Sequence, residues 1–228
     1  MSALEPAAYL CRIVCLTEET TEALYLLGEE DRIVGISGFT VRPPRARKEK
    51  PKVSAFISAK IDRILALEPD LVLGFSDLQA DIASQLIRRG IEVHVFNQRS
   101  VDEILRVIRM LGGMTGCETK AAALAAELEN GLDALRATAA AFPRRPRVYF
   151  EEWDEPQISG IRWVSELVGI AGGDDIFPQR AAASLARERI VADPLEIVRA
   201  APDIVIGSWC GKKFRPERVA ARPGWETV

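Results

Sequence analysis

His94 is the only histidine in a chain of 228 residues. It lies inside the apolar run IEVHVF (91–96), where it reads as a satisfied core histidine or, alternatively, as a metal contact. With no second histidine, neither a Ser-His-Asp nor a Cys-His constellation can be assembled. Phosphate-cradling loops are missing too: neither G-x-G-x-x-G nor G-x-x-x-x-G-K-[ST] occurs. There is no basic surplus, since 30 Lys and Arg stand against 33 Asp and Glu for a net charge of −3. That balance argues against a nucleic-acid partner held by general electrostatics. No run approaches the ~20 apolar residues that a membrane span requires, so membrane insertion is not expected. The opening MSALEPAAYLCRIVCLTEET lacks the basic start, apolar core and cleavage site of a secretory leader. As written, the chain reads as cytoplasmic; the alternative is a periplasmic or other extracytoplasmic mature form whose leader was removed. Cysteines are few and scattered, at 11, 15, 117 and 210. Cys11 and Cys15 share one face of a strand, as small core residues or as a metal or disulfide pair.

What is present is ordinary soluble-protein material, 48% hydrophobic and 28% charged. Strands and helices alternate through the first hundred residues. RIVCL (12–16) leads into a helix in TEETTEALYLLG, with Thr17 or Thr20 as its cap. RIVGISG (32–38) is a second strand, followed by a proline-rich and basic loop. SAKIDRILALE (58–68) is a helix, LVLGF (71–75) a buried strand, Leu78 to Arg89 a helix and IEVHVF a strand. A further helix runs from Val101 and ends at Gly112-Gly113. Such alternation implies crossover units and a mainly parallel sheet. The stretch from Glu118 to Phe142 is Ala- and Leu-rich and free of proline, which predicts a helix of roughly 37 Å. Leu124, Leu128, Leu132 and Leu135 draw an apolar stripe along it. The pattern then restarts, with RVYFEE (147–152) as a strand and WDEPQISG as an irregular segment. Ile161 to Ile170 is a helix, a polar loop runs to Val191, and a helix after Pro194 leads to the strand DIVIG (203–207). The tail from Ser208 shows no regular element.

LALEPDLVLGF (65–75) and VRAAPDIVIGSW (198–209) match each other across the long helix. Each runs helix, Pro-Asp, four apolar residues ending in glycine, then an aromatic. Proline ends the helix, and the apolar run is of the kind buried on both faces of a parallel sheet. Ligands of open α/β sheets bind outside the carboxyl ends of the strands.

With VGISGFTVRPP, KVSAFISAKIDRILALEPDLVLG, the long helix and PDIVIG in this order, the chain resembles a class III substrate-binding protein of ABC importers. That group captures cobalamin, ferric siderophores and haem. VYFEEWDEPQISGIRWVSELVGIAGG (148–173) and SWCGKKF (208–214) make it similar to the cobalamin binders within it. The resemblance implies an α/β fold of two Rossmann-like lobes with mainly parallel sheets, joined by one long helix, with a ligand cleft between the lobes. The lobes would be 1–116 and 144–228, the bridging helix 117–143. It also implies a monomer that binds a small-molecule metal complex without an enzymatic step or resident cofactor. An ABC permease is a possible partner. The family has a further strand and helix after RPGW, so the second lobe looks truncated at its end and would leave a sheet edge uncovered.

Aromatic residues at strand ends are the candidates for holding a large, mostly apolar ligand: Phe39, Phe56, Phe75, Phe96, Trp153 and Trp209, against the alternative that they fill two cores. Phe75 and Trp209 follow the two repeat strands, and by resemblance Phe75 falls where cobalamin binders carry an aromatic over the ligand. Trp209→Ala is therefore expected to weaken binding more than stability. Polar candidates are Thr17, Glu18, Ser76, Glu152, Ser208 and Cys210. Glu151, Glu152, Asp154 and Glu155 read as a carboxylate or cation site, or as a solvated loop. In the resemblance a carboxylate on each lobe docks onto the permease. Here those positions fall at Ala80, with Asp77 and Asp81 near it, and at Leu195, with Glu196 beside it. The competing reading is a Rossmann-like enzyme acting on a phosphate-bearing small molecule.

Overall fold

The structure is a computed structural model that describes residues 9–209 and 211–225. The chain forms two compact units. One runs as far as Gln98 and resumes over Leu105–Glu127; the other comprises Arg99–Ile104 and the residues from Leu128 onward.

The first unit starts with Ile13–Cys15 (β1), Glu18–Leu26 (α1) and Ile33–Ser37 (β2). The loop expected next contains Ala46–Glu49 (α2) and Lys52–Ser54 (β3), pieces too short for periodicity to reveal. Ile61–Leu65 (α3), Leu71–Phe75 (β4), Ala80–Ile87 (α4) and Val93–Phe96 (β5) follow. The sheet order is β3-β2-β1-β4-β5, and every pairing is parallel. Val14, Leu16, Ile64, Val72 and Leu86 form its aliphatic core. His94 is half-buried rather than enclosed, because β5 is the sheet edge; its ring meets Phe96 edge-on at 4.4 Å.

Val101–Thr115 (α5) and Glu118–Ala139 (α6) each have residues in both units. Helix α5 begins with a capping box that satisfies two orphan donors. Ser100 Oγ accepts the Glu103 N–H at 3.2 Å, and Glu103 accepts the Ser100 N–H at 3.0 Å. It does not stop at Gly112-Gly113. A Cβ on Gly112 would lie 2.3 Å from the Ala121 Cβ, so glycine there lets α6 pack close, and the left-handed Gly116 (φ 75°) makes the turn. For the same reason the buried face of α6 is not the leucine stripe. Ala121 and Ala125 are fully buried, whereas Leu128 and Leu135 are exposed.

Arg147–Asp154 (β6) is the centre of the second unit. WDEPQISG is not irregular: β6 runs through Trp153 to Asp154 and pairs antiparallel with Gln157–Ser159 (β7). Arg162–Ile170 (α7) is followed by Asp174–Asp175 (β8), Pro178–Ala181 (α8) and a 3-10 turn at Ala186–Arg189, all within the expected loop. Leu195–Arg199 (α9), Ile204–Gly207 (β9) and Pro216–Ala220 (α10) complete the unit; α10 falls in the supposedly irregular tail. β8 and β9 pair with β6 in parallel. Among the described residues β6 is the sole strand partner of β9, whose Ile204 and Ile206 are exposed. The core here is aromatic: Tyr149 meets Phe177 edge-on at 5.9 Å and Trp225 at 6.3 Å.

The Pro-Asp repeats share one geometry. Asp70 accepts the N–H groups of Cys11 and Arg12 at 2.7 and 2.9 Å, at the start of β1. Asp203 accepts the Arg147 N–H at 2.7 Å, at the start of β6. Each aspartate N–H donates back to the carbonyl of the same arginine. Arg12 Nε donates to the carbonyls of Leu67 and Glu68, and Arg147 Nε to that of Ala200, covering carbonyls left open at a helix end. The registers agree as well: Ile13 pairs with Leu71, and Val148 with Ile204.

No helix of the described residues is long and apolar enough to cross a membrane.

Candidate ligand-binding site

In the first unit every strand is parallel, so the residues after β1, β2, β3 and β4 emerge at one end of the sheet, the end where open α/β sheets hold ligands. Phe39 follows β2 and is 51% exposed; Phe56 follows β3 and is 38% exposed; Phe75 ends β4, half-buried. Gln79, itself buried, ties this end together. Its Oε1 accepts the Phe75 N–H at 2.9 Å and its Nε2 donates to the Phe56 carbonyl at 2.9 Å. Ser37 Oγ accepts the Phe39 N–H at 3.1 Å and donates to Glu18 at 3.3 Å. The exposed rings therefore project from loops fixed by half-buried hydrogen bonds.

The polar candidates of this unit are less open than the sequence leads one to expect. Thr17 is buried, its hydroxyl 3.2 Å from that of Thr20 and its carbonyl accepting from the Thr20 and Thr21 hydroxyls. It occupies the N-cap position of α1 without a side-chain cap bond. Ser76 is buried with φ 56° and caps the turn at Asp77 by accepting the Leu78 N–H. The Ser76 hydroxyl is turned to the backbone and that of Thr17 to the Thr20 side chain, so local contacts occupy both. Burial raises Glu19 above the ordinary carboxylate range, opposed by hydrogen bonds that include one with Gln98. Burial pushes the Cys15 thiol up to about 12, and Cys11, Cys15 and Cys117 are free thiols.

In the second unit β6 and β9 deliver Glu152, Trp153, Ser208 and Trp209. Trp209 is a core residue: it is 5% exposed, its Nε1–H donates to Glu151 at 2.9 Å, and Phe214 meets it edge-on at 4.9 Å. A buried carboxylate draws the indole inward, so Trp209 also has a structural role in the second unit. Glu151 is fully buried and also takes a bidentate bond from Arg222 at 2.6 and 2.8 Å. The suggested carboxylate site is thus divided. Glu151 neutralises Arg222, Asp154 accepts from Lys212, and Glu152 faces Arg189 at 3.1 Å. Burial raises Glu152 and Arg189 opposes that rise; burial lowers Arg189. Burial alone would raise Asp154, but its hydrogen bond with Lys212 holds it below the usual range. Trp153 is half-buried with its Nε1–H on the Glu155 carbonyl at 2.9 Å, and Lys212 Nζ lies 4.0 Å from the ring centroid. Ser208 is exposed, its N–H donating to the Glu151 carbonyl. Cys210 lies outside the described residues. Gln79, Arg189 and Lys212 are the site residues that sequence reasoning missed. Only Lys212, within SWCGKKF, stood in a segment already singled out.

The positions compared with permease docking sit on two surface hollows. Asp77 and Ala80 line one of about 580 Å³ in the first unit, with Asp81 exposed beside it. Leu195 lines one of about 970 Å³ in the second, with Pro156, Val191 and Trp225. Glu196 is held by Arg180 at 2.9 and 3.0 Å. Neither hollow is lined by the candidate aromatic residues Phe39, Phe56, Phe75 or Trp153. Among the described residues no three His, Cys, Asp or Glu side chains are grouped to hold a metal ion.

The all-parallel sheet of the first unit thus carries aromatic loops at its carboxyl end, where open α/β sheets hold ligands. The chain belongs to the periplasmic binding protein family, whose pattern matches residues 13–228. A vitamin B12-binding protein of Vibrio parahaemolyticus is 26% identical over 174 residues, 75% of this chain and 62% of that protein. This chain thus spans a little under two thirds of that relative's length. Among solved structures, a possible iron-binding (periplasmic solute-binding) protein of Staphylococcus epidermidis is similar with a TM-score of 0.79 and 21% identity, covering 96% of this chain and 86% of that one. The periplasmic vitamin B12 binding protein of Vibrio cholerae is similar with a TM-score of 0.74 and 22% identity, covering 95% and 81%.

Proposed function

We propose that this chain binds a corrinoid, cobalamin or cobinamide, without an enzymatic step, as the capture component of an ABC-type importer or as a free-standing relative of one. The observation that carries the reading is the set of aromatic residues at the carboxyl end of the first sheet. Phe39 and Phe56 hold large apolar rings in solvent at the end of the sheet where open α/β folds bind their ligands. Phe75 and Trp153 add two half-buried rings. A broad, largely apolar metal complex suits such aromatic faces, and Glu18 in the first unit and Ser208 in the second are the polar candidates. The vitamin B12-binding relative of Vibrio parahaemolyticus supports the ligand class. A ferric siderophore or haem is the second reading, favoured by the iron-binding description of the Staphylococcus epidermidis neighbour. The family name supports an extracytoplasmic location. Asp77 and Asp81 are open for docking, whereas Glu196 would first have to leave Arg180.

The test is a titration with cyanocobalamin and dicyanocobinamide followed by tryptophan fluorescence and thermal melting. A ligand that binds only the folded state adds about 2.7 kcal/mol at a hundred times its Kd, a shift of several degrees. Phe75→Ala should weaken binding at least tenfold with a smaller loss of stability. No response to saturating corrinoid, haem or ferric siderophore overturns the reading; a response to haem or siderophore alone replaces the corrinoid with that ligand.

A further inference from the structure

Lys212 lies in the loop after β9, and its ammonium is held far more closely than a surface lysine needs to be. Nζ sits 4.0 Å from the centroid of Trp153 and 5.3 Å from that of Trp209, and it donates to Asp154 Oδ1. The Asp154 side chain is 4% exposed, while that of Lys212 remains 38% exposed. Two indoles and a buried carboxylate make the kind of box that recognises ammonium groups, and here the chain supplies the occupant itself.

The loop geometry explains how the lysine gets there. Gly211 adopts φ 73°, and the Lys212 N–H donates to the Trp209 carbonyl at 3.3 Å. Phe214 lies so close against β9 that a Cβ on Gly207 would come within 1.8 Å of its ring. Lys212 and Phe214 are thereby held close to the ends of β6 and β9. Within the box the lysine is the partner on the longest and most flexible stem. The Trp153 indole is tethered to the Glu155 carbonyl and Trp209 is packed in the core, whereas the ammonium rides on a flexible four-carbon stem.

We propose that Lys212 is a displaceable cap: it occupies the Trp153 face on which the ligand stacks, and it swings away when the ligand enters. This rests on the reading of Trp153 as a ligand contact. The cap keeps an otherwise open indole face covered in the free protein and makes the ligand compete with an internal cation. Removing it therefore tightens binding, the opposite of what loss of an ordinary contact residue does.

The experiment uses the full chain and dicyanocobinamide. Lys212→Ala is paired with the double variant Lys212→Ala/Asp154→Asn, which does not leave a buried carboxylate bare. Affinity should rise at least threefold in each. In the ligand-free proteins, acrylamide quenching of tryptophan fluorescence should increase, and that increase should vanish when Trp153→Phe is added. Affinity that falls or stays unchanged in both variants overturns the proposal, as does quenching that does not depend on Trp153. If neither the wild type nor the variants bind cobinamide, haem or siderophore, the binding reading falls and the competition with it. Quenching then still decides whether Lys212 covers the ring.

Discussion

Glu68 has φ 46° and Ala201 has φ 45°, each just before the proline of a Pro-Asp strand, one in either unit. A left-handed conformation costs an ordinary residue about 1–2 kcal/mol, and the following proline disfavours helical geometry besides. Both units accept that strain and offset it in the same way, by an aspartate gripping the first strand and an arginine covering the helix-end carbonyls. Beyond the strand the two units part. The first closes its carboxyl end with neutral Gln79, which bonds backbone groups of Phe75 and Phe56. The second buries a charge, Glu151, and must bring Arg222 and Trp209 to it. A neutral closure leaves its loops free to carry exposed rings. An ionic one draws an aromatic inward and makes the fold depend on a residue far along the chain.

The contrast is broken most directly by removing one partner on each side. Arg222→Ala leaves Glu151 buried without its cation, and urea denaturation should show a loss of about 3–5 kcal/mol. Gln79→Ala removes the partner of three backbone groups, those of Phe75, Phe56 and Leu16, and should cost about 1–3 kcal/mol. Equal losses would mean that the two closures are energetically alike. The shared aspartates offer the next test. Asp70→Ala should cost about 2 kcal/mol, from two charge-assisted hydrogen bonds. Asp203→Ala should cost less, because part of its pairing is with the exposed Arg144.

Asp203 also predicts a pH dependence. Its hydrogen bond with Arg144, then that with the Arg147 N–H, lowers its folded pKa below 3.8. A depressed carboxylate contributes stability above its unfolded value, and that contribution disappears as pH falls through the folded value. In acid unfolding, Asp203→Asn should therefore track below wild type at neutral pH and converge with it under pH 3.8. The smallest effect should come from Gly131. No atom lies within 4 Å of a Cβ built there, in the middle of α6, so Gly131→Ala should stabilise by about 1 kcal/mol and raise the Tm slightly.

The Pro-Asp strands were legible in the sequence because an apolar run after a helix breaker leaves the chain few alternatives, and their recurrence revealed two units. The leucine stripe of α6 misled because hydrophobicity rules favour bulk, while the packing at Gly112 demands alanine. The hairpin at Asp154–Gln157 was hidden by its polar composition, and α2, α8 and α10 by their brevity. Phe39, Phe56 and Phe75 stood out as aromatics at strand ends. Trp209 looked the same, and nothing local distinguished it. Its burial follows from Glu151, fifty-eight residues away, whose own burial depends on Arg222. Charges that pair across such distances leave no periodicity.

The aspartate clamps have a consequence for the order of folding. Asp70 and Arg12 are 58 residues apart, Asp203 and Arg147 56. Closing loops of that length costs roughly 3.6 kcal/mol of chain entropy. Neither central pair of strands can therefore form early by local search; each must wait for the intervening helices to shorten the path. Since the two spans are nearly the same, the two units meet nearly the same entropic barrier. Substitutions at Asp70 and Asp203 should then act chiefly on the rate of folding, and by similar fractions of their effect on stability.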